Sequence, residues 1–146
     1  MFGLMKPISL KLLTACGVLL TALTASCTQT PGDGGRASIT GHVEEEARLV
    51  LTNGNSAQGE PYPARDHNVF LIYGDNVGPD DQVETNHEGN FVFPWLRPGD
   101  YTVYVYSEDT LPPFNNSPDI AIVRQFEIEA GDEAVDIGAL RIYKDI

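Results

Sequence analysis

Short apolar segments separated by turn-forming residues constrain the fold of this chain more than any other feature of its sequence. From Ala37 onward apolar and polar residues alternate, with Gly, Pro, Asn and Asp between the runs, and helical spacing of apolar residues is missing. A period of two places apolar side chains on one face of a strand. Strands are predicted at about residues 37–44, 47–52, 68–73, 81–86, 90–94, 100–107, 121–129 and 134–143. The predicted fold is an all-β, seven- or eight-stranded antiparallel β-sandwich.

Residues 1–26 have the pattern of a bacterial signal peptide. Lys6 and Lys11 form a short positive region, and the stretch from Leu12 to Ala25 is apolar and interrupted only by small residues. This stretch is too short to span a bilayer as a stable helix, so we predict a secretory signal.

The signal ends in LTASC, which resembles the lipobox of bacterial lipoproteins, with Cys27 as the lipidated first residue of the mature protein. Thr24 stands where the strongest form of the motif has an aliphatic residue, so an ordinary cleaved signal is the alternative. Thr28 follows the cysteine, which in enteric bacteria resembles an outer-membrane destination. We therefore expect a lipid-anchored protein of the bacterial cell envelope, placed at the outer membrane.

Cleavage before Cys27 leaves 120 residues, which suits one small domain at residues 37–146. The segment 27–36 is predicted to be a lipidated flexible tether, because TQTPGDGGR at 28–36 consists of turn formers. As a random coil this segment spans roughly 17 Å. With Cys27 lipidated, no cysteine remains for a disulfide, so packing alone must hold the domain.

The mature chain is strongly acidic. Removing Lys6 and Lys11 from nine Lys and Arg leaves seven against 21 Asp and Glu, a formal charge of −14. Such a charge repels phosphate backbones, so nucleic acid is excluded as a partner.

The stretch TNHEGNFVFPWLRPGDYTVYVY, residues 85–106, combines two turns with two alternating strands. Gly89 and Gly99 are expected at positive φ in these turns. The stretch resembles the T-D-x-x-G-x-F-x-F-x-x-L-x-P-G-x-Y signature of carboxypeptidase regulatory-like domains, which are transthyretin-like β-sandwiches. The matching residues are Thr85, Gly89, Phe91, Phe93, Leu96, Pro98, Gly99 and Tyr101, while Asn86 replaces the usual Asp. The resemblance covers about residues 37–143 and implies this fold without implying an activity.

Catalytic motifs are missing from the sequence, so we predict that the protein is not an enzyme. It has no G-x-S-x-G elbow, no free Cys nucleophile, no H-E-x-x-H and no glycine-rich phosphate loop. His42, His67 and His87 stand in unrelated contexts, and we predict neither a metal nor another cofactor. The acidic segments 74–82 and 131–136 leave calcium as an alternative, although neither has EF-hand spacing.

Two predicted strands are apolar on both faces. If Val69, Leu71 and Tyr73 face the core on one strand, and Tyr101, Val103 and Val105 on another, four apolar side chains point outward. These are Phe70, Ile72, Tyr104 and Tyr106. Either the segment 107–119 folds back and seats Leu111 and Phe114 on them, which we favour, or a partner covers them.

These features predict a non-catalytic envelope lipoprotein that acts as an interaction, scaffolding or adhesion module. Its partners are the membrane, through the lipid, and a protein or glycan. The alternative is carbohydrate binding, which would use loop aromatics such as Tyr62, Trp95 or Phe114. The candidate binding residues are Phe70, Ile72, Tyr104, Tyr106 and Trp95. A hydrolase with an unrecognised site is a third alternative.

Overall fold

The computed structural model describes residues 30–50, 55–108, 119–130 and 134–145, and these residues form nine β-strands. The strands are β1 (Asp33–Val50), β2 (Ser56–Gln58), β3 (Tyr62–Pro63), β4 (Asn68–Tyr73), β5 (Asp81–Glu84), β6 (Asn90–Leu96), β7 (Gly99–Ser107), β8 (Ile120–Ile128) and β9 (Ala134–Asp145). Among these residues the structure contains no helix that could span a membrane.

The strands form two sheets that pack face to face. The first sheet is built around β1, which pairs with β9 along one side and with β6, β3 and β2 in succession along the other. The second sheet has the order β5-β4-β7-β8. The predicted all-β sandwich is confirmed, with one refinement: β1 and β9 run parallel, whereas the other pairs are antiparallel.

On β4 and β7, most of the side chains predicted from the sequence to face the core are buried, and the side chains between them face outward. Val69 and Leu71 of β4 and Val103 and Val105 of β7 are fully buried, and their neighbours along each strand face outward. Facing them from the first sheet are core residues such as Phe93. Burying large apolar side chains contributes about 1.5–3 kcal/mol each, so this alternation fixes the register of the strands.

Two of the predicted elements differ from those observed. The predicted strand 37–44 and residues 47–50 of the predicted strand 47–52 belong to one continuous strand, β1, because Glu44, Glu45 and Glu46 remain paired with β9 rather than forming a turn. Residues 51 and 52 lie outside the described residues. The short strands β2 and β3 were missed, since two or three residues are too few for a periodic pattern.

The sandwich has two ends, which we name after one residue at each. The Gly99 end carries the start of β1 at Asp33 and the turns at residues 74–80 and 97–98. The Ser107 end carries the last residue of β7, the first residue of β8 and residues 64–67.

The chain is fixed to the Gly99 end before β1 begins. The Tyr101 hydroxyl accepts a hydrogen bond from the Gly32 N–H at 2.9 Å and donates one to the Arg97 carbonyl at 2.7 Å. The Arg97 N–H donates to the Gly32 carbonyl, and the Tyr73 hydroxyl donates to Asp33. Burial, helped by this bond to Asp33, raises the pKa of Tyr73. Gly32 is itself buried, so this attachment belongs to the folded domain.

This attachment corrects the predicted boundary between tether and domain. The segment 27–36 was predicted to be a flexible tether, but residues 33–36 belong to β1, and Pro31 and Gly32 pack on the sandwich. The sequence signal failed because glycine and proline, which are typical of linkers, also allow close approach of two backbones. The Cys27 residue itself lies outside the described residues.

Candidate binding surface

Three aromatic rings cluster on the outer face of the second sheet. Phe70 of β4 and Tyr104 of β7 are register partners, and their rings stack with centroids 5.0 Å apart and planes at 16°. Tyr106 meets both rings edge-on, at 5.6 Å from each centroid. We call Phe70, Tyr104 and Tyr106 the aromatic cluster. Offset or edge contacts of this kind contribute about 0.5–1.5 kcal/mol per pair beyond their buried area.

The side chains directly opposite the aromatic cluster on the neighbouring strands are uncharged. Gln82 of β5 lies beside Phe70, and Val123 of β8 lies beside Tyr104 and is 51% exposed. Tyr106 is 44% exposed, while Phe70 and Tyr104 are half-buried. Partial burial, followed by the neighbouring Tyr106, raises the pKa of Tyr104, so its hydroxyl is a neutral hydrogen-bonding group.

The structure brings four of the five predicted site residues together and leaves one apart. Ile72 is half-buried and lies on the same face of β4 as Phe70, two residues further on. Trp95 lies on β6 in the other sheet, 68% exposed and with φ of 63°, where the pairing with β1 is irregular. A positive φ at a bulky residue is strained, and such strain is frequent at functional sites. Trp95 is therefore a candidate for a second binding site, apart from the one formed by the other four predicted residues.

The predicted cover of the aromatic cluster lies outside the described residues. The segment 107–119 contains Leu111 and Phe114, which belong to the range 109–118 that the structure does not describe. What the structure does show is where this segment begins and ends, since Ser107 and Ile120 are paired neighbours at the Ser107 end.

A polar groove of about 260 Å³ adjoins the aromatic cluster at the Ser107 end. Its lining residues come from five separate parts of the chain: Glu45, His67, Tyr106, Glu108, Asp119, Ile142, Tyr143 and Lys144. The His67 ring donates a hydrogen bond to the Tyr106 carbonyl at 3.1 Å, which fixes one wall to β7. No sequence pattern indicated this groove, because its lining residues lie far apart in the chain and are brought together only when the strands pair.

Several residues considered for metal binding take part in other contacts. Among the residues that the structure describes, no three His, Cys, Asp or Glu side chains gather as a metal site. In the segment 74–82, for which calcium binding was the alternative, both Asp80 oxygens accept hydrogen bonds from the turn itself, from the Tyr73 N–H and the Asn76 amide. Part of the other segment, 131–136, lies outside the described residues.

Two glutamates of the acidic run of β1 pair with an arginine of the neighbouring strand. Arg141 of β9 lies 2.9 Å from Glu44 and 3.7 Å from Glu46, and the His42 ring lies 3.4 Å from Glu44. Hydrogen bonding to Arg141 is the largest cause that holds the pKa of Glu44 below its usual value. A guanidinium between two carboxylates takes the place that a cation would need.

No protein-family model matches this chain, and no curated protein is significantly similar to it in sequence. The chain is similar in fold to a solved structure from Pseudomonas aeruginosa, described as a candidate carbohydrate binding protein. The match covers 77% of this chain and 91% of that chain, with 10% sequence identity and a TM-score of 0.36. A likeness at this level indicates neither a shared fold family nor a shared ligand.

Proposed function

We propose that this protein is a non-catalytic binding module of the bacterial cell envelope, anchored at the outer membrane through lipid on Cys27. Its folded part is a carboxypeptidase regulatory-like domain, as the stretch at residues 85–106 suggests. The outer face of β5-β4-β7-β8 binds a protein partner. The observation that carries this proposal is the uncharged aromatic cluster on a sheet face that would ordinarily be polar.

The packing of the rings favours a protein partner over a glycan on this face. A sugar stacks flat on an exposed aromatic face, but Phe70 and Tyr104 are stacked on each other with nearly parallel planes. What remains for a ligand is ring edges, the Tyr106 side chain and the aliphatic Val123. Tyr side chains are enriched among the residues that dominate protein–protein binding energy.

Photo-crosslinking in intact cells tests this proposal. A photoreactive amino acid at Tyr106 should yield a crosslinked protein band, and one at Val92, which is 50% exposed on the other sheet, should not. The band should disappear in the double variant Phe70→Ser/Tyr104→Ser, whose purified domain should stay folded although the lost ring contacts lower its melting temperature.

A different crosslinking result would indicate that the protein's own segment 107–119 covers the aromatic cluster. If the photoreactive amino acid at Tyr106 crosslinks to residues of the segment 107–119 and to no other protein, that segment covers the aromatic cluster, and the proposed binding face is wrong. Sedimentation of the soluble 28–146 domain separates a second copy from another protein as the partner, since only self-association changes the sedimentation of the purified domain.

Carbohydrate binding is a second candidate, which Trp95 favours. Its side chain is the most exposed aromatic in the described part of the chain, and its backbone is held at positive φ. A glycan array should then show binding that Trp95→Ala abolishes and that Phe70→Ser/Tyr104→Ser leaves unchanged. Equal binding by the parent and Trp95→Ala would remove this candidate.

A further inference from the structure

We propose that the sandwich stands on the membrane with its Gly99 end towards the lipid headgroups and its Ser107 end directed away. This inference rests on the proposed lipid anchor at Cys27 and adds the orientation of the domain, which a flexible tether would leave free. It follows from where the chain becomes fixed to the sandwich and from how few residues precede that point.

The fixed point is Pro31. The side chain of Pro31 packs on Gly99 and Gly74, and the next residue, Gly32, exchanges hydrogen bonds with Tyr101 and Arg97. One residue further, Asp33 accepts a hydrogen bond from Tyr73. Three successive residues are thus held by contacts to three elements of the sandwich, β4, β7 and the turn between β6 and β7.

Only three residues, Thr28, Gln29 and Thr30, separate Cys27 from this fixed point. A fully extended chain advances at most about 3.6 Å per residue, so the Cys27 and Pro31 Cα atoms lie no more than about 14 Å apart. The nine residues of β7 lead from the Gly99 end to the Ser107 end, a length of roughly 30 Å. The linker is therefore much shorter than the domain, and the Gly99 end must stay near the bilayer.

Charge opposes the arrangement in which the domain lies flat. The mature chain carries a formal charge of −14, so placing a whole sheet face on an anionic leaflet would bring many carboxylates to the surface. At the Gly99 end the acidic residues include Asp75, Asp100 and Glu127, but exposed charges are screened beyond about 8 Å at physiological ionic strength. The linker can reach across that distance, so an upright domain avoids most of the repulsion.

The orientation places the candidate binding surface where a partner in the aqueous phase can reach it. Tyr106 stands seven residues along β7 from Gly99, which corresponds to about 24 Å above the anchored end. The polar groove at the Ser107 end lies at a similar height.

Energy transfer to labelled lipid tests the orientation on the processed full-length protein. Single cysteines at Val77, in the turn of the Gly99 end, and at Gln58, on β2 beside the far end of β1, would carry the donor dye. Each introduced thiol is unique, because the signal removes Cys16 and the lipid occupies the sulfur of Cys27. The protein is placed in phosphatidylethanolamine–phosphatidylglycerol vesicles that contain a trace of headgroup-labelled lipid.

We expect the transfer to be about twofold more efficient from Val77→Cys than from Gln58→Cys, because the two ends are roughly 30 Å apart along the strands. In a control, about fifteen Gly and Ser residues are inserted after Thr28, which raises the random-coil reach of the linker to more than 20 Å and should remove the difference. If the two labels still differ in transfer efficiency with the long linker, the short linker does not set the orientation of the domain, and the proposal is wrong.

The outcomes separate this inference from the lipid anchor on which it rests. Equal transfer from both labels, in protein that floats with the vesicles and carries lipid on Cys27, overturns the orientation and leaves the anchor intact. Protein that does not float and carries no lipid on Cys27 overturns the anchor and the orientation together.

Discussion

Pro31 packs so closely against Gly99 that a β-carbon at Gly99 would lie 2.6 Å from the Pro31 Cγ. Gly99 also has φ of 140°, a conformation that residues with a side chain rarely adopt, so the positive φ predicted there is confirmed. The residue at which β7 begins is thus also the residue on which the incoming chain rests. Glycine meets both requirements because it has no side chain.

Replacing Gly99 with Val should therefore destabilise the domain. We expect a loss of about 1–3 kcal/mol in the free energy of unfolding, from backbone strain and from displacement of Pro31. Thermal melts of the soluble domain measure the loss. Asp100→Asn at the neighbouring exposed position is the matched control and should be almost neutral, whereas a Gly99→Val melt equal to that of the parent would contradict the close packing seen here.

Tyr101→Phe should release the start of the chain while keeping the core filled. The ring packs in the core, so the change removes the hydroxyl alone and leaves the buried Gly32 N–H without its acceptor. An unsatisfied buried donor costs about 1–3 kcal/mol. Amide hydrogen exchange should show faster exchange at Gly32 than in the parent, and unchanged protection at this position would mean that the tyrosine hydroxyl does not hold the segment.

Cys27→Ser should move the protein from the membrane fraction to the soluble fraction. The lipid is the only anchor that the proposal invokes, and a serine hydroxyl does not carry the thioether-linked lipid. Fractionation followed by immunoblotting measures the change, with Thr28→Ser as the matched control that keeps the cysteine. A Cys27→Ser protein that stays in the membrane fraction would show that the anchor lies elsewhere.

The contact between Arg141 and Glu44 should make stability depend on pH in the acid range. Because hydrogen bonding to Arg141 lowers the folded-state pKa of Glu44, its contribution is present above the ordinary value of 4.5 and disappears as pH falls through the folded-state pKa. Arg141→Gln should therefore destabilise the domain at pH 7 by a small amount, and the difference from the parent should shrink below pH 4.5.

Two measurements check this expectation. Urea unfolding of both proteins at a series of pH values gives the difference in stability, and an NMR titration should show the pKa of Glu44 moving up in Arg141→Gln. A stability difference that stays constant down to strongly acid pH would indicate that Arg141 acts through packing rather than through its charge.

The sequence predicted the outward-facing residues of β4 and β7 because a period of two is local information. Once Val69 and Leu71 are known to face the core, Phe70 must face the other way, and its neighbour across the sheet follows from the register with β7. Trp95 was instead predicted to lie in a loop, and that prediction is wrong, because Trp95 belongs to β6. Its positive φ interrupts the alternation of β6, so neither its direction nor its distance from the aromatic cluster could be read from spacing.

The sequence by itself determined the all-β class, the turns at Gly89 and Gly99 and the faces of the long strands, because these depend on alternation and on the conformational freedom of glycine. Tertiary structure alone decided that the linker-like residues Pro31 and Gly32 belong to the domain, and that a polar groove lies beside Tyr106. Both features join residues far apart in the chain. The Tyr101 hydroxyl binds Gly32 to the sandwich, and the groove forms where several strand ends meet. Local composition carries no information about such contacts, because each depends on the whole sandwich having already formed.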